Sequence, residues 1–141
     1  MPEGWAMKLL GYPQLGAERF ACVRDEGELE GKSGQILCFE RSSEALLLRC
    51  VKAGLQTALW VHSACDVLWG MNYGVSYLLA PLGESERNLV EWQRIVQDYL
   101  SDCLLVRVIE GKDEELLDSV RLRIDAVVRA GAISGACEHS Q

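Results

Sequence analysis

The chain has 141 residues, of which 49% are hydrophobic and 25% charged, and its 21 acidic and 14 basic side chains give a formal net charge of -7. This length corresponds to about one ordinary domain, and the composition excludes wholesale disorder and a fibrous repeat. The acidic balance, with Arg121-Leu122-Arg123 as the longest basic cluster, argues against binding to nucleic acid or to an anionic membrane surface.

Six cysteines are spread along the chain without a CxxC pair, and the N-terminus shows no basic-then-apolar leader. Cys38, Cys50 and Cys103 lie in apolar runs, where a free cysteine behaves as a small hydrophobic residue. We therefore expect reduced thiols and a cytoplasmic location.

Residues 1–34 are rich in glycine and contain a charged run, which predicts an irregular N-terminal segment with one strand near 19–24. The polar residues 134–141 predict a flexible tail. We treat residues 1–141 as a single α/β domain.

From Gln35 onward, short apolar runs alternate with segments of helical spacing. The runs are continuous rather than alternating, which is typical of strands covered on both faces of a parallel sheet. The predicted strands are 35–39, 58–62, 75–80, 104–109 and 124–129.

The segments between these strands carry helix signals. Ser42 or Ser43 can cap a helix that stops at Gly54, and Asp66 can cap a shorter helix that stops at Gly74. The segment 84–102 has the strongest amphipathic pattern, and 113–121 begins with acidic residues and ends at Arg121, as the helix dipole favours.

Four strand-helix units followed by a fifth strand predict about five mostly parallel strands with alternating helices. Two architectures fit this order: an open flavodoxin-like sheet, or a half-barrel that pairs with a second copy. The most apolar stretch, 58–82, contains His62, Asp66 and Pro81, so we interpret it as strand, helix and strand rather than a transmembrane helix.

Ligands of parallel sheets and barrels bind at the carboxyl ends of the strands. Basic side chains and a glycine turn follow the predicted strands there, which predicts a site for a small anionic metabolite. The candidate ligand-binding residues are Arg41, Lys112, Arg129 and Gly131. The alternative is that these strand ends are polar because they meet solvent.

His62, Cys65 and Asp66 are the candidate catalytic residues, because an imidazole transfers protons near neutral pH and a nearby thiol can act as a nucleophile. A structural histidine is the competing interpretation. His62-x-x-Cys65 together with Cys137-x-His139 could supply four zinc ligands, but the spacing is not diagnostic, and we assign no metal site. Neither a GxGxxG nor a P-loop motif is present, so no cofactor is assigned.

The run from His62-Ser63 to Gly74-Val75-Ser76-Tyr77-Leu78-Leu79, together with 124–133, resembles the later half of phosphate-binding (βα)8 barrels such as the thiamine phosphate synthase-like proteins. In that family, a pair of glycines after the penultimate strand and a small polar residue after the last strand help to hold a phosphate. The matching positions here are Glu110-Gly111 and Gly131, so an acidic residue replaces one of the glycines.

Two functional hypotheses follow. The first is a small-molecule site at the strand carboxyl ends, with His62 as an acid or base if the protein is an enzyme. The second is a non-catalytic interaction or homo-oligomerisation module, suggested by the many tryptophan and tyrosine residues. The sequence carries no signature that decides between an enzyme and a binding module.

Overall fold

A computed structural model of the protein describes residues 6–99 and 101–135, which build one parallel sheet of eight strands. The strand order is β1-β7-β6-β5-β4-β3-β2-β8, and every neighbouring pair is parallel. The strands are β1 Lys8–Leu10, β2 Phe20–Cys22, β3 Ile36–Phe39, β4 Thr57–Trp60, β5 Tyr77–Ala80, β6 Leu104–Ile109, β7 Ala126–Arg129 and β8 Ile133–Ser134.

Four α-helices connect the strands from β3 to β7. Their bounds are α1 Glu44–Lys52, α2 Ala64–Tyr73, α3 Glu86–Asp98 and α4 Asp113–Arg121. Each helix and each of the five predicted strands is found where the sequence pattern places it, and Gly54 and Gly74 follow their helices with positive φ angles of 78° and 86°. The predicted α/β class is confirmed, although the sheet has eight strands rather than five.

The additional strands lie near the ends of the described chain. Residues 1–34, which we expected to be irregular apart from one strand near 19–24, contribute β2 at that place and β1 in addition, and β8 pairs with β2 in parallel. Each of these strands has only two or three residues, so each depends on its neighbours for definition.

The sheet is curled, because a short connection joins two strands that stand far apart in the strand order. Only residues 130–132 lie between β7 and β8, so these strand ends are at most about 15 Å apart. In a flat sheet the six spacings that separate them would require roughly 29 Å. The two edges of the sheet therefore come together within one chain, as in a barrel. Of the two predicted architectures, the barrel-like one is found, and it does not need a second copy to bring its edges together.

The curl creates two apolar cores. The inner core contains side chains from all eight strands, with Phe20 and Trp60 completely buried, and the rings of Phe20 and Tyr77 meet edge-to-face at a centroid distance of 5.8 Å. The outer core lies between the sheet and the helices, where Trp92 of α3 is the largest helical side chain. The inside of the sheet is thus filled by side chains, as in small barrels.

Two further expectations concern the cysteines and the apolar segment. Cys38, Cys50, Cys65 and Cys103 are free, whereas Cys22 is disulfide-bonded, so the expectation of reduced thiols is wrong for Cys22. The cytoplasmic location inferred from reduced thiols stays a prediction.

Within residues 6–99 and 101–135, no helix combines the length and apolarity that a membrane crossing needs.

Gly11, directly after β1, lies at the seam where the two edges of the sheet meet. Its φ angle is +77°, and a Cβ atom added to it would lie 2.5 Å from Cβ of Ala132, just before β8. Glycine is required here both by the backbone conformation and by the close approach of the other edge.

We predict that Gly11→Ala destabilises the protein more than Gly54→Ala. Both glycines have a φ angle near +78°, but a Cβ on Gly54 meets nothing within 4 Å, so that variant carries the backbone strain alone. The added methyl group at the seam should cost a further ~1–3 kcal/mol in the free energy of unfolding, measured by urea denaturation. Equal losses for the two variants would show that the edges do not meet at Gly11.

Candidate functional site

A cavity of about 180 Å³, which we call the seam cavity, lies where the carboxyl ends of β1 and β7 meet the amino ends of β2 and β3. The charged residues of its lining are Arg19, Arg129 and Glu18. Two basic residues and one acidic residue thus line this cavity, in a protein whose formal net charge is -7. The uncharged lining residues include Gly131, Ser134 and Gln35.

Arg129 is held in a fixed position at the end of β7. Its Nε and Nη2 atoms donate hydrogen bonds to the carbonyl oxygen of Gly11 at 3.2 Å and 2.7 Å, and its guanidinium carbon lies 5.1 Å from the ring centroid of Tyr12. Oε1 of Glu18 accepts a hydrogen bond from the Gly11 N–H at 3.0 Å. The peptide groups around Gly11 therefore organise both an arginine and the carboxylate of the cavity.

Tyr12 has a polar atom for which the described residues provide no partner. Its hydroxyl oxygen is buried and makes no hydrogen bond within the described part of the chain. Burial raises the pKa of Tyr12 above its ordinary value, and nearby Glu115 and Asp113 act in the same direction, whereas Arg129 opposes them. The phenol is therefore neutral at physiological pH, and its ring remains a suitable surface for the Arg129 guanidinium.

A second polar group, which we call the Asp66 cluster, lies at the carboxyl ends of β3 and β4. It is centred on Asp66, which is buried, with 6% of its surface exposed. Oδ1 of Asp66 accepts a hydrogen bond from Nη1 of Arg41 at 3.0 Å, and Oδ2 accepts one from the His62 backbone N–H at 2.8 Å. The members of the cluster are Glu40, Arg41, Glu44, His62, Asp66 and Tyr73.

Asp66 was expected to cap α2, but the cap is Ser63. The Ser63 hydroxyl accepts a hydrogen bond from the Asp66 backbone N–H at 3.4 Å, while the Asp66 carboxylate ties the first turn of α2 to β4 and to Arg41. The Asp66 side chain thus connects three segments rather than ending one helix.

His62 lies at the exposed side of the cluster, with Nε2 at 2.9 Å from Oε1 of Glu40 and a side chain that is 38% exposed. An imidazole beside a carboxylate can hold or transfer a proton. Cys65 is an exposed free thiol in the first turn of α2. Catalytic roles for His62, Cys65 and Asp66 stay predictions.

Arg41 is committed to contacts inside the protein. Its guanidinium carbon lies 5.1 Å from the ring centroid of Trp69, and its hydrogen bond to Asp66 raises its pKa above the ordinary arginine value. The Tyr73 hydroxyl donates a hydrogen bond to Glu44. The Asp66 cluster contains three carboxylates, so it repels an additional anion.

The backbone of the turn between β6 and α4 binds a carboxylate of the protein itself. The Glu115 carboxylate accepts hydrogen bonds from the backbone N–H groups of Glu110, Gly111 and Lys112 at 3.1, 2.9 and 2.9 Å. Burial alone would raise the pKa of Glu115, but these hydrogen bonds and Arg107 outweigh it, so the pKa lies below its ordinary value. The Glu110-Gly111 turn, which corresponds to a phosphate-binding position in the resemblance described above, is filled by a side chain of the protein.

The four predicted ligand-binding residues therefore do not lie in one site. Arg129 and Gly131 line the seam cavity, whereas Arg41 lies in the Asp66 cluster and Lys112 is exposed with Nζ at 3.9 Å from Oε2 of Glu110. Cys137 and His139 lie outside the described residues, and within those residues no group of three or more potential ligands could hold a metal ion.

Sequence reasoning missed Arg19, Glu18 and Gln35 as lining residues of the seam cavity. They precede β2 and β3 and so lie at the amino ends of these strands. The sequence-based prediction covered only the carboxyl ends of the strands, where ligands of parallel sheets usually bind. A signal for Glu115 was present, because a carboxylate three residues into a helix commonly binds the backbone at the helix start.

Comparison with solved structures agrees with a barrel-like fold. A thiamine phosphate pyrophosphorylase from Pyrococcus furiosus matches 90% of the chain at 12% sequence identity with a TM-score of 0.62. A nicotinate-nucleotide pyrophosphorylase from Francisella tularensis matches 85% at 6% identity with a TM-score of 0.52. The chain spans only 63% and 50% of those two proteins, so the likeness shows the fold alone. The expected fold-level resemblance to (βα)8 barrels is thereby confirmed.

No family model and no curated protein matches the sequence.

We predict that Glu115→Gln lowers the free energy of unfolding at neutral pH by ~1 kcal/mol, since the amide keeps one acceptor oxygen but loses the charge that strengthens the three hydrogen bonds. The folded pKa of Glu115 is depressed, so its stabilisation is complete above the unfolded pKa and is lost as the pH falls through the folded value. The difference from the wild type should therefore shrink as the pH falls through the lowered pKa of Glu115.

Glu114→Gln is the matched control for this experiment. Glu114 is an exposed acid in the same helical turn, and its substitution makes the same change in net charge. Urea denaturation of both variants across the acid range measures the effect. An equal effect of the two substitutions, or a difference that grows as the pH falls, would contradict the assignment.

Proposed function

We propose that this chain binds a small anionic ligand in the seam cavity. The observation that carries the proposal is the pair of arginines, Arg19 and Arg129, in the lining of one cavity at the carboxyl end of β7. With Glu18 as the opposing carboxylate, the lining carries one excess positive charge in an acidic protein. Such a local reversal of sign attracts an anion that the rest of the surface repels.

Arg129 supports the proposal because it is fixed before a ligand arrives. A guanidinium has five N–H donors, and the Gly11 carbonyl uses the donors of two of its nitrogens. The Tyr12 ring further limits its rotation. An arginine that is already ordered loses little conformational freedom on binding, which favours bidentate recognition of a carboxylate or phosphate.

Gly131 leaves space beside this arginine. It is exposed, and a Cβ added to it would meet nothing within 4 Å. A glycine at this position lets a ligand approach the backbone of the turn between β7 and β8. Ser134 of β8 also lines the cavity, where its hydroxyl donates a hydrogen bond to the Phe20 carbonyl oxygen at 3.4 Å.

The size of the cavity limits the class of ligand. About 180 Å³ is below the ~300–1,000 Å³ typical of sites for drug-sized ligands, so a phosphate group or a small carboxylate fits better than a complete dinucleotide. The names of the two structural neighbours refer to a phosphate ester and to a nucleotide, which makes phosphate the first probe.

Inorganic phosphate should raise the melting temperature of the wild-type protein in a saturable manner at constant ionic strength, because a ligand of the native state stabilises it by mass action. Arg19→Ala should weaken phosphate binding about tenfold or more, as expected for the loss of a charge-assisted contact. The affinity is measured by isothermal titration calorimetry.

Arg94→Ala serves as the matched control, because Arg94 is an exposed arginine of α3 outside the cavity and its removal changes the net charge equally. Equal weakening by Arg19→Ala and Arg94→Ala would mean that phosphate responds to the overall charge. No saturable shift with phosphate or with a short dicarboxylate would overturn the proposal.

A further inference from the structure

The seam cavity contains opposite charges that do not pair with each other. Arg19, Arg129 and Glu18 all belong to its lining. Among the residues that the structure describes, no ion pair or hydrogen bond joins the Glu18 carboxylate to either guanidinium, and the Arg19 side chain has no hydrogen-bond partner of its own. Opposite charges that share a small cavity without pairing are available to a ligand that carries both signs.

Two contacts place the Glu18 carboxylate at the cavity. Oε1 accepts a hydrogen bond from the N–H of Gly11, a lining residue, at 3.0 Å. Burial raises the pKa of Tyr77, which packs against the inner core, and the negative charge of Glu18 acts in the same direction. The Tyr77 ring in turn meets that of Phe20, another lining residue. Oε2 of Glu18 makes no hydrogen bond in the described chain, so it is the oxygen that a ligand can use.

The negative charge of Glu18 is not needed to hold Gly11. The amide oxygen of a glutamine can also accept a hydrogen bond from a backbone N–H. A carboxylate near two arginines weakens their attraction for a ligand that is only anionic. The same carboxylate strengthens binding when the ligand presents a positively charged donor to it. The charge of Glu18 therefore favours a ligand with an anionic end and a cationic end.

The backbone of Gly11 limits the distance between the two signs. Its N–H lies 3.0 Å from Oε1 of Glu18, and its carbonyl oxygen lies 2.7 Å from Nη2 of Arg129. Three bonds of about 4 Å in total join the nitrogen and oxygen of one residue, so Oε1 and Nη2 are at most about 10 Å apart. A ligand between them needs ~3 Å for each of its two hydrogen bonds. Roughly 4 Å remains between its charged ends, which suits a short linker of about two carbons.

The total charge and the volume of the cavity suit such a ligand as well. Two arginines and one glutamate give the lining an excess of one positive charge. A phosphate monoester carries roughly −1.5 to −2 charges at pH 7, so one ammonium group leaves it with about one negative charge. A volume of about 180 Å³ corresponds to about six water molecules of ~30 Å³ each, which is enough for a phosphate with a short amine.

We propose that the ligand of the seam cavity is a small zwitterion, with a phosphate or carboxylate at one end and a protonated amine about 4 Å away. The inference rests on the proposed function and adds a cationic end to its ligand. Arg19 and Arg129 bind the anionic end. The Glu18 carboxylate binds the ammonium group while its Oε1 continues to hold the Gly11 N–H.

Phosphoethanolamine and propyl phosphate are matched probes, because they differ only by an ammonium group in place of a methyl group. In isothermal titration calorimetry near pH ~8, where both phosphates are ionised, the wild type should bind phosphoethanolamine about tenfold more tightly. Glu18→Gln keeps an acceptor for the Gly11 N–H but removes the charge. This variant should lose the preference for the amine and bind inorganic phosphate several-fold more tightly.

A second pair of probes identifies the anionic end. 4-Aminobutyrate and pentanoate also differ by an ammonium group in place of a methyl group, but they carry a carboxylate. A preference for the amine within the phosphate pair indicates a phosphate monoester as the ligand. A preference within the carboxylate pair indicates an amino acid.

Glu91→Gln is the matched control, because Glu91 is an exposed residue of α3 outside the cavity and its substitution makes the same change in net charge. This variant should keep the wild-type preference, and circular dichroism verifies that both variants are folded. If the wild type binds phosphate but prefers the amine in neither pair, the inference is wrong and the proposed function stands. A preference that Glu18→Gln retains, or that Glu91→Gln loses equally, also contradicts the inference. A wild type that binds neither inorganic phosphate nor any of the four probes contradicts both.

Discussion

The three-residue connection between β7 and β8 is the constraint on which the rest of the structure depends. It joins strands at nearly opposite ends of the sheet order, so the sheet must curl until its edges meet. The curl turns one face of the sheet inward, where side chains from every strand pack together, and leaves the other face to the helices. Gly11 at the seam permits this close approach because a side chain there would collide with Ala132.

The same constraint creates the cavity. At the seam, the amino end of β2 lies beside the carboxyl ends of β1 and β7, which brings Arg19 next to a region that already contains Arg129. The two peptide groups that flank Gly11 hold these side chains: the Gly11 N–H donates a hydrogen bond to Glu18, and the Gly11 carbonyl oxygen accepts hydrogen bonds from Arg129. The residues that close the sheet therefore also fix the positions of the charged groups.

Much of the architecture could be predicted from the sequence, because β3 to β7 are continuous apolar runs and the helices between them end at glycines or carry caps. β2 lies within the strand predicted near 19–24, but β1 and β8 could not be predicted, since strands of two or three residues have no period of their own and are defined by their partners. Arg129 and Gly131, which line the cavity, were nominated as ligand-binding residues because they follow a predicted strand. Arg19 precedes one, and its place in the cavity depends on sheet closure, a non-local property that local patterns do not contain.

The acidic residues of the chain determine which cationic groups remain available to a ligand. Asp66 binds Arg41, and Glu115 occupies the backbone N–H groups at the start of α4, a position that could otherwise hold an anion. In the seam cavity the balance is reversed, because Glu18 is directed to the Gly11 N–H and Arg129 to a neutral carbonyl. A neutral acceptor orients a guanidinium without cancelling its charge, so Arg129 retains the attraction for an anion that Arg41 has lost to a carboxylate. Of the sites nominated by the sequence, the seam cavity is thus the one whose electrostatics suit an external anion, while the Asp66 cluster is better suited to hold Trp69.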